Sequence, residues 1–97
     1  MPSELPLGRY LLACWAELEI NQVEFARRAN LLPAQVHQFR VGLRKPPLHQ
    51  LQRWARALEL KQAKDIARLQ ELMQLAHALP ATQEAYERLR EQVYGSK

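Results

Sequence analysis

QVEFARRANLLPAQVHQFRV, residues 22–41, reads as two short helices joined by a tight turn. Asn21, just before it, is a good N-cap, and Glu24 three residues later completes a capping box. Ala26 falls where the second helix must cross close over the first, so a larger side chain would clash. Asn30 falls at the turn, where the backbone visits the left-handed region that Gly and Asn tolerate best. Pro33 suits the first turn of the second helix, which needs no amide donor there. Val36 and Phe39, three apart, turn back to the core. That leaves Ala34, Gln35, His37, Gln38 and Val41 facing outward. Gly42 is a natural stop.

The charge around this pair is one-sided. From Arg27 to Arg56 there are seven Arg or Lys and no Asp or Glu. A fixed helix pair of helix-turn-helix spacing in a wholly basic neighbourhood is the electrostatic footprint of a duplex-DNA binder. The chain has 97 residues, a net charge of +4 and a hydrophobic fraction of 47%. That is one domain, or one small domain with an appendage, and too apolar for a disordered chain. The single cysteine, Cys14, excludes an internal disulfide and a multi-Cys zinc site, and reads as a buried structural thiol. The first residues show no basic n-region and no apolar h-region. No stretch nears the roughly 18 apolar residues of a membrane span. A soluble, cytoplasmic, nucleoid-associated protein with no membrane partner is expected.

Nothing argues for strands, because apolar residues recur at three and four. Leu7, Leu11, Cys14 and Leu18 mark one face of a first helix, with Pro6 near its start. The second helix runs to about Ala29. Leu43 to Pro47 is a rigid basic loop, and Leu48, Leu51, Trp54, Ala55 and Leu58 face inward on a fourth helix. From about Lys61 the charges nearly cancel, and Ile66, Leu69, Leu72, Met73, Ala76 and Leu79 form a broad stripe on a long fifth helix. Pro80 breaks it, and Tyr86, Leu89 and Val93 mark a sixth. The predicted fold is all-α: a compact helix-turn-helix bundle of four to five helices over residues 1–60, then a C-terminal helical hairpin over 61–97.

Between Leu7 and Leu60 the chain resembles the phage-repressor and Cro type of helix-turn-helix, the xenobiotic-response-element family. The resemblance rests on Leu7-Gly8, on Gln22, on Ala26, Asn30, Val36, Phe39 and Gly42, on the basic loop to Pro46, and on Leu48, Leu51 and Ala55 to Leu58. It implies a bundle of four or five helices and transcription regulation in prokaryotes or phages. It further implies a phosphate contact from Gln22, base contacts from Pro33, Ala34, Gln35 and Gln38, and backbone contacts from Val41, Leu43, Arg44 and Lys45. The chain departs from the family in four places. Trp15 and Arg40 stand where many members pair an Arg with a Glu, so Arg40 either stacks on the indole or reaches DNA. Glu19 replaces the usual Gly after the first helix, which suggests a differently shaped turn. Leu32 replaces a capping Ser. Pro33 replaces a base-reading polar residue and cannot donate.

The readings converge on double-stranded DNA. Ala34, Gln35, His37 and Gln38 are the base-reading candidates; glutamine can pair with adenine through its donor and acceptor. Gln22, Arg27, Arg40, Arg44 and Lys45 are the phosphate candidates, with Arg27 and Arg28 expected to split between phosphate and solvent. A homodimer is expected, since one reading head buries too little surface to hold an operator tightly. Its interface is assigned to Ile66, Leu69, Met73, Ala76, Leu79, Tyr86, Leu89 and Val93; the stripe from Ile66 to Leu79 is also broad enough to close the monomer's own core and still leave a self-complementary patch. His37, His49 and His77, twelve and twenty-eight residues apart, match no metal pattern. No nucleophile–base pair or phosphate-binding glycine loop is present, so neither an enzyme nor a cofactor is expected. Trp15 and Trp54 read as core in preference to a single-strand stacking platform. The leading reading is a dimeric repressor on a near-palindromic operator. The alternative is an antitoxin-type protein that binds a toxin through its last third and autoregulates its promoter.

Overall fold

Two prolines set the first and third helices of the chain. The computed structural model describes residues 4–78. Every regular element among them is helical: α1 (Pro6–Leu18), α2 (Gln22–Arg28), α3 (Pro33–Val41), a 3₁₀ turn (Leu48–Gln50), α4 (Leu51–Ala57) and α5 (Ala63–Ala78). Pro6 and Pro33 each open a helix where no amide donor is needed. The residues before them, Leu5 and Leu32, have no side chain able to cap. The Leu5 amide donates instead to the Arg40 carbonyl at 3.0 Å, pinning the start of α1 to the end of α3. Gln35 Oε1 accepts from the Leu32 amide at 3.0 Å, which is one arm of a capping box without the other. Asn21 caps α2 as expected, accepting from the Glu24 amide at 2.8 Å. The Glu24 carboxylate makes no return bond, because Arg27 and Arg28 hold it.

Three helices end the same way. Glu19, Asn30 and Glu59 take left-handed backbone, at φ 58°, 59° and 58°. The residue after each donates back to the carbonyl five positions earlier: Ile20 to Trp15 at 2.9 Å, Leu31 to Ala26 at 2.7 Å, Leu60 to Ala55 at 2.9 Å. This is the Schellman motif, which satisfies carbonyls left over at a helix end. Ile20, Leu31 and Leu60 then pack against the core. The turn after α1 is therefore not reshaped by Glu19; Glu19 takes the conformation a glycine would. Gly42 ends α3 at φ 89°, as its position predicts.

The core is built around a chain of four rings. Trp15 meets Phe25 at 5.4 Å between centroids, Phe25 meets Trp54 edge-on at 5.8 Å, and Trp54 meets Phe39 at 5.4 Å. Such tilted and edge-to-face pairs are favoured by the ring quadrupoles. Leu7, Leu11, Ala26, Ala29 and Val36 complete the packing, and both tryptophans lie inside it. Cys14 and Leu18 sit only half-buried at its margin, since the buried stripe of α1 runs through Trp15. Burial still pushes the Cys14 thiol upward in pKa and raises the neighbouring Tyr10 phenol to about 12. The fourth helix begins later than its pattern suggests. Leu48 lies in the 3₁₀ turn and is exposed, and the inward residues begin at Leu51.

α5 closes the core, and this corrects the interface assignment of several of its residues. It packs on α1 and α4, and Leu69, Leu72, Met73 and Ala76 are buried in the same core as the first four helices. No boundary after Leu60 separates two cores. Leu69, Met73 and Ala76, assigned to a dimer interface, are consumed inside one chain, with Leu69 and Met73 at 0% exposure. Ile66 packs against that core from its edge. The amphipathic stripe of α5 thus joins Trp15 and Trp54 in one buried cluster. Leu79, Tyr86, Leu89 and Val93, and the break at Pro80, lie outside the described residues.

Candidate nucleic-acid interface

Gln22 ties the helix pair together. Its Nε2 donates to the Pro33 carbonyl at 3.1 Å, and its Oε1 accepts from Arg40 Nη1 at 2.6 Å. One side chain thus joins the start of α2 to both ends of α3. One amide hydrogen of Gln22 makes no hydrogen bond among the described residues.

α3 lies on the surface with a defined outer face. Ala34 and His37 are exposed, and Gln35 and Gln38 are half-buried beside them. Gln35 spends its carbonyl on the Leu32 amide. Gln38 accepts from Arg44 Nε at 2.8 Å. At the N-terminal end the surface is apolar: Leu32 is 65% exposed, Val23 of α2 is 60% exposed, and Pro33, next after Leu32, is exposed as well. The Gln35 NH₂ is the side-chain donor nearest this apolar end, since only the Gln35 carbonyl is engaged, on the Leu32 amide. Val41, expected to face outward, is 8% exposed. The chain after Gly42 folds back over the helix end, with the Leu43 and Arg44 amides both returning to the Gln38 carbonyl, and Pro46 is buried. Val41 is therefore withdrawn from the outward-facing candidates. Arg44 and Lys45 remain exposed at the loop tip, and Leu43 is half-buried.

The basic run is less uniform in space than in sequence. Carboxylates from outside it fold onto three of its seven cations. Glu24 pairs with Arg27 at 2.6 Å and Arg28 at 3.0 Å, and Arg28 also reaches Glu59 at 3.0 Å. These bonds from Arg27 and Arg28 pull the Glu24 carboxyl down to about 2 from its ordinary 4.5. Glu4 pairs with Arg40 through both carboxylate oxygens. Arg40 also lies 5.8 Å from the Trp15 ring centroid, within cation–π range. The open alternatives for Arg40 resolve toward packing: it is held by Glu4, Gln22 and Trp15, with 18% of its side chain exposed. Arg40 is thereby withdrawn from the phosphate candidates. The Trp15 Nε1 beneath it is buried without a hydrogen-bond partner among the described residues. Arg27, by contrast, is 71% exposed and held only by a neighbour three residues away. Such pairs are worth little, so Arg27 can exchange Glu24 for a phosphate. Among the described residues Arg44, Lys45, Arg53 and Arg56 make no ion pair. These four are the net positive charge that the fold leaves on this side of the sequence.

Sequence reading misses Glu4, Glu59 and the Gln38–Arg44 bond. Glu4 and Glu59 carry no local signal, because each meets its arginine only after the chain has folded. The Gln38–Arg44 bond depends on how the loop after Gly42 wraps. Among the described residues no helix is long and apolar enough to cross a membrane, and no group of three or more His, Cys, Asp or Glu is placed to hold a metal ion. Comparison with protein-family models, with curated proteins and with solved structures finds no match to this chain.

Proposed function

We propose that the protein is a transcription regulator that binds double-stranded DNA by sequence, laying α3 in the major groove, and acts as a dimeric repressor on a near-palindromic operator. The observation that carries this reading is the outer face of α3. Ala34, Gln35, His37 and Gln38 lie on it, and the exposed Arg44 and Lys45 bound it at the loop. Polar amides next to unpaired cations suit base edges flanked by phosphates. The resemblance to phage-repressor helix-turn-helix proteins points the same way. In this reading Lys45, Arg44 and Arg27 meet phosphates and Gln22 donates its remaining amide hydrogen to one. Two copies place two such faces on opposite halves of the site. The test is a titration of duplex DNA across a salt series. Log K should fall linearly with log salt, and Lys45→Ala should reduce that slope by about one unit for each bound head. Failure of the wild-type protein to bind duplex DNA, or a slope untouched by Lys45→Ala, contradicts the proposal.

A further inference from the structure

The bond between Gln38 and Arg44 decides what Gln38 can offer a partner. Arg44 Nε donates to Gln38 Oε1 at 2.8 Å. A guanidinium carries donors and no acceptor, so the end of the Gln38 amide turned toward Arg44 is its carbonyl. The backbone is arranged for this contact. The Arg44 amide reaches the Gln38 carbonyl at 3.3 Å, beside the Gly42 and Leu43 amides at 3.0 and 2.9 Å. The loop is thus wrapped onto the residue that its side chain holds. The NH₂ group of Gln38 makes no hydrogen bond among the described residues.

We infer that Arg44 is a positioning residue that fixes the Gln38 amide with its NH₂ group outward, and thereby makes guanine the base that Gln38 selects. Guanine offers two acceptors in the major groove, N7 and O6, whereas adenine pairs an acceptor with a donor. An unheld glutamine turns its amide to match adenine; one whose carbonyl is held presents donors. This role is added to the phosphate contact that the other guanidinium nitrogens of Arg44 make in the proposed reading, a contact that positions a protein without reading sequence. The inference rests on the proposed reading of α3 as the DNA-contacting helix.

The experiment has two parts, each with the full chain. In the free protein, Arg44→Ala should shift the side-chain amide resonances of Gln38, and Lys45→Ala should leave them in place. Unmoved Gln38 resonances in Arg44→Ala overturn the positioning role. On DNA, the step read by Gln38 is the one whose base preference Gln38→Ala removes, in a sequence selected from random duplexes. Wild type should prefer G over A there by about tenfold, and Arg44→Ala should bring the two within about twofold. In the Gln38→Ala background Arg44→Ala should lower affinity for both duplexes without changing their ratio. A preference for A in wild type, an equal preference for G in wild type and Arg44→Ala, or no position altered by Gln38→Ala overturns the inference while DNA binding stands. No duplex binding by wild type removes the reading of α3 and the inference with it.

Discussion

A single methyl group at residue 8 would force α1 away from α3. A Cβ there would collide with the Glu4 carboxylate and stand 2.9 Å from the Arg40 carbonyl, the atom that accepts the Leu5 amide. Gly8→Ala should therefore destabilise the protein by about 1–3 kcal/mol, as overpacking does, in spite of the better helix propensity of alanine. Denaturant unfolding would measure it, and an unchanged midpoint would mean that the two helices separate easily. Glu24 gives a second residue-scale expectation, in pH. Its carboxyl is lowered from 4.5 to about 2 by Arg27 and Arg28, so it contributes stability that is present above 4.5 and lost as pH falls toward 2. Glu24→Gln should flatten that part of an acid titration and leave the neutral-to-alkaline limb as it was; an unchanged acid limb would mean that these exposed pairs contribute nothing. The left-handed turn at Asn30 is legible from residue type alone. The need for glycine at residue 8 is not, because Arg40 meets it only in the folded chain.

The helix ends show what local chemistry can and cannot announce. Proline, Asn21 and Gly42 mark starts and stops by their own covalent structure. Glu19 and Glu59 give no such mark, since glutamate has no preference for the left-handed region that both occupy. They are held there by the carbonyls they help to satisfy and by the core contacts of Ile20 and Leu60. Glu19→Gly should raise stability by about 0.5–1 kcal/mol, as relief of left-handed strain exceeds the added freedom of the unfolded chain. Glu59→Gly should gain less, because it also removes the ion pair to Arg28. Thermal unfolding of both variants tests the order, and destabilisation by Glu19→Gly would show that the side chain has a role at that turn beyond its backbone. The α5 stripe is visible in the sequence, and so is its capacity to close the monomer's core; which of its residues the core takes is not. Periodicity tells which face is buried and never against what.

Across the whole molecule, folding redistributes both apolar surface and charge. α5 spends Leu69, Met73 and Ala76 on the monomer and leaves Leu75 outside at 45% exposure. Met73→Ala should cost about 2–5 kcal/mol of stability, as buried large-to-small changes do. Leu75→Glu should keep the stability of the monomer; if a second copy covers that face, sedimentation should show a weakened dimer. Full stability in Met73→Ala would contradict the core assignment. The charge pattern changes in the same manner: Glu4, Glu24 and Glu59 quench Arg40, Arg27 and Arg28, and the unpaired cations that remain lie at residues 44, 45, 53 and 56. A contiguous run in sequence becomes a smaller set divided between the loop after α3, with Arg44 and Lys45, and α4, with Arg53 and Arg56, a division that charge counting cannot give. The most direct measurement is a selection of bound sequences from random duplex DNA, carried out in parallel with wild type and Gln38→Ala. Wild type should enrich two related half-sites about 10 base pairs apart, and Gln38→Ala should flatten one position in each half while leaving the others. No enriched sequence, or the same motif from both proteins, would contradict the placement of α3 in the groove.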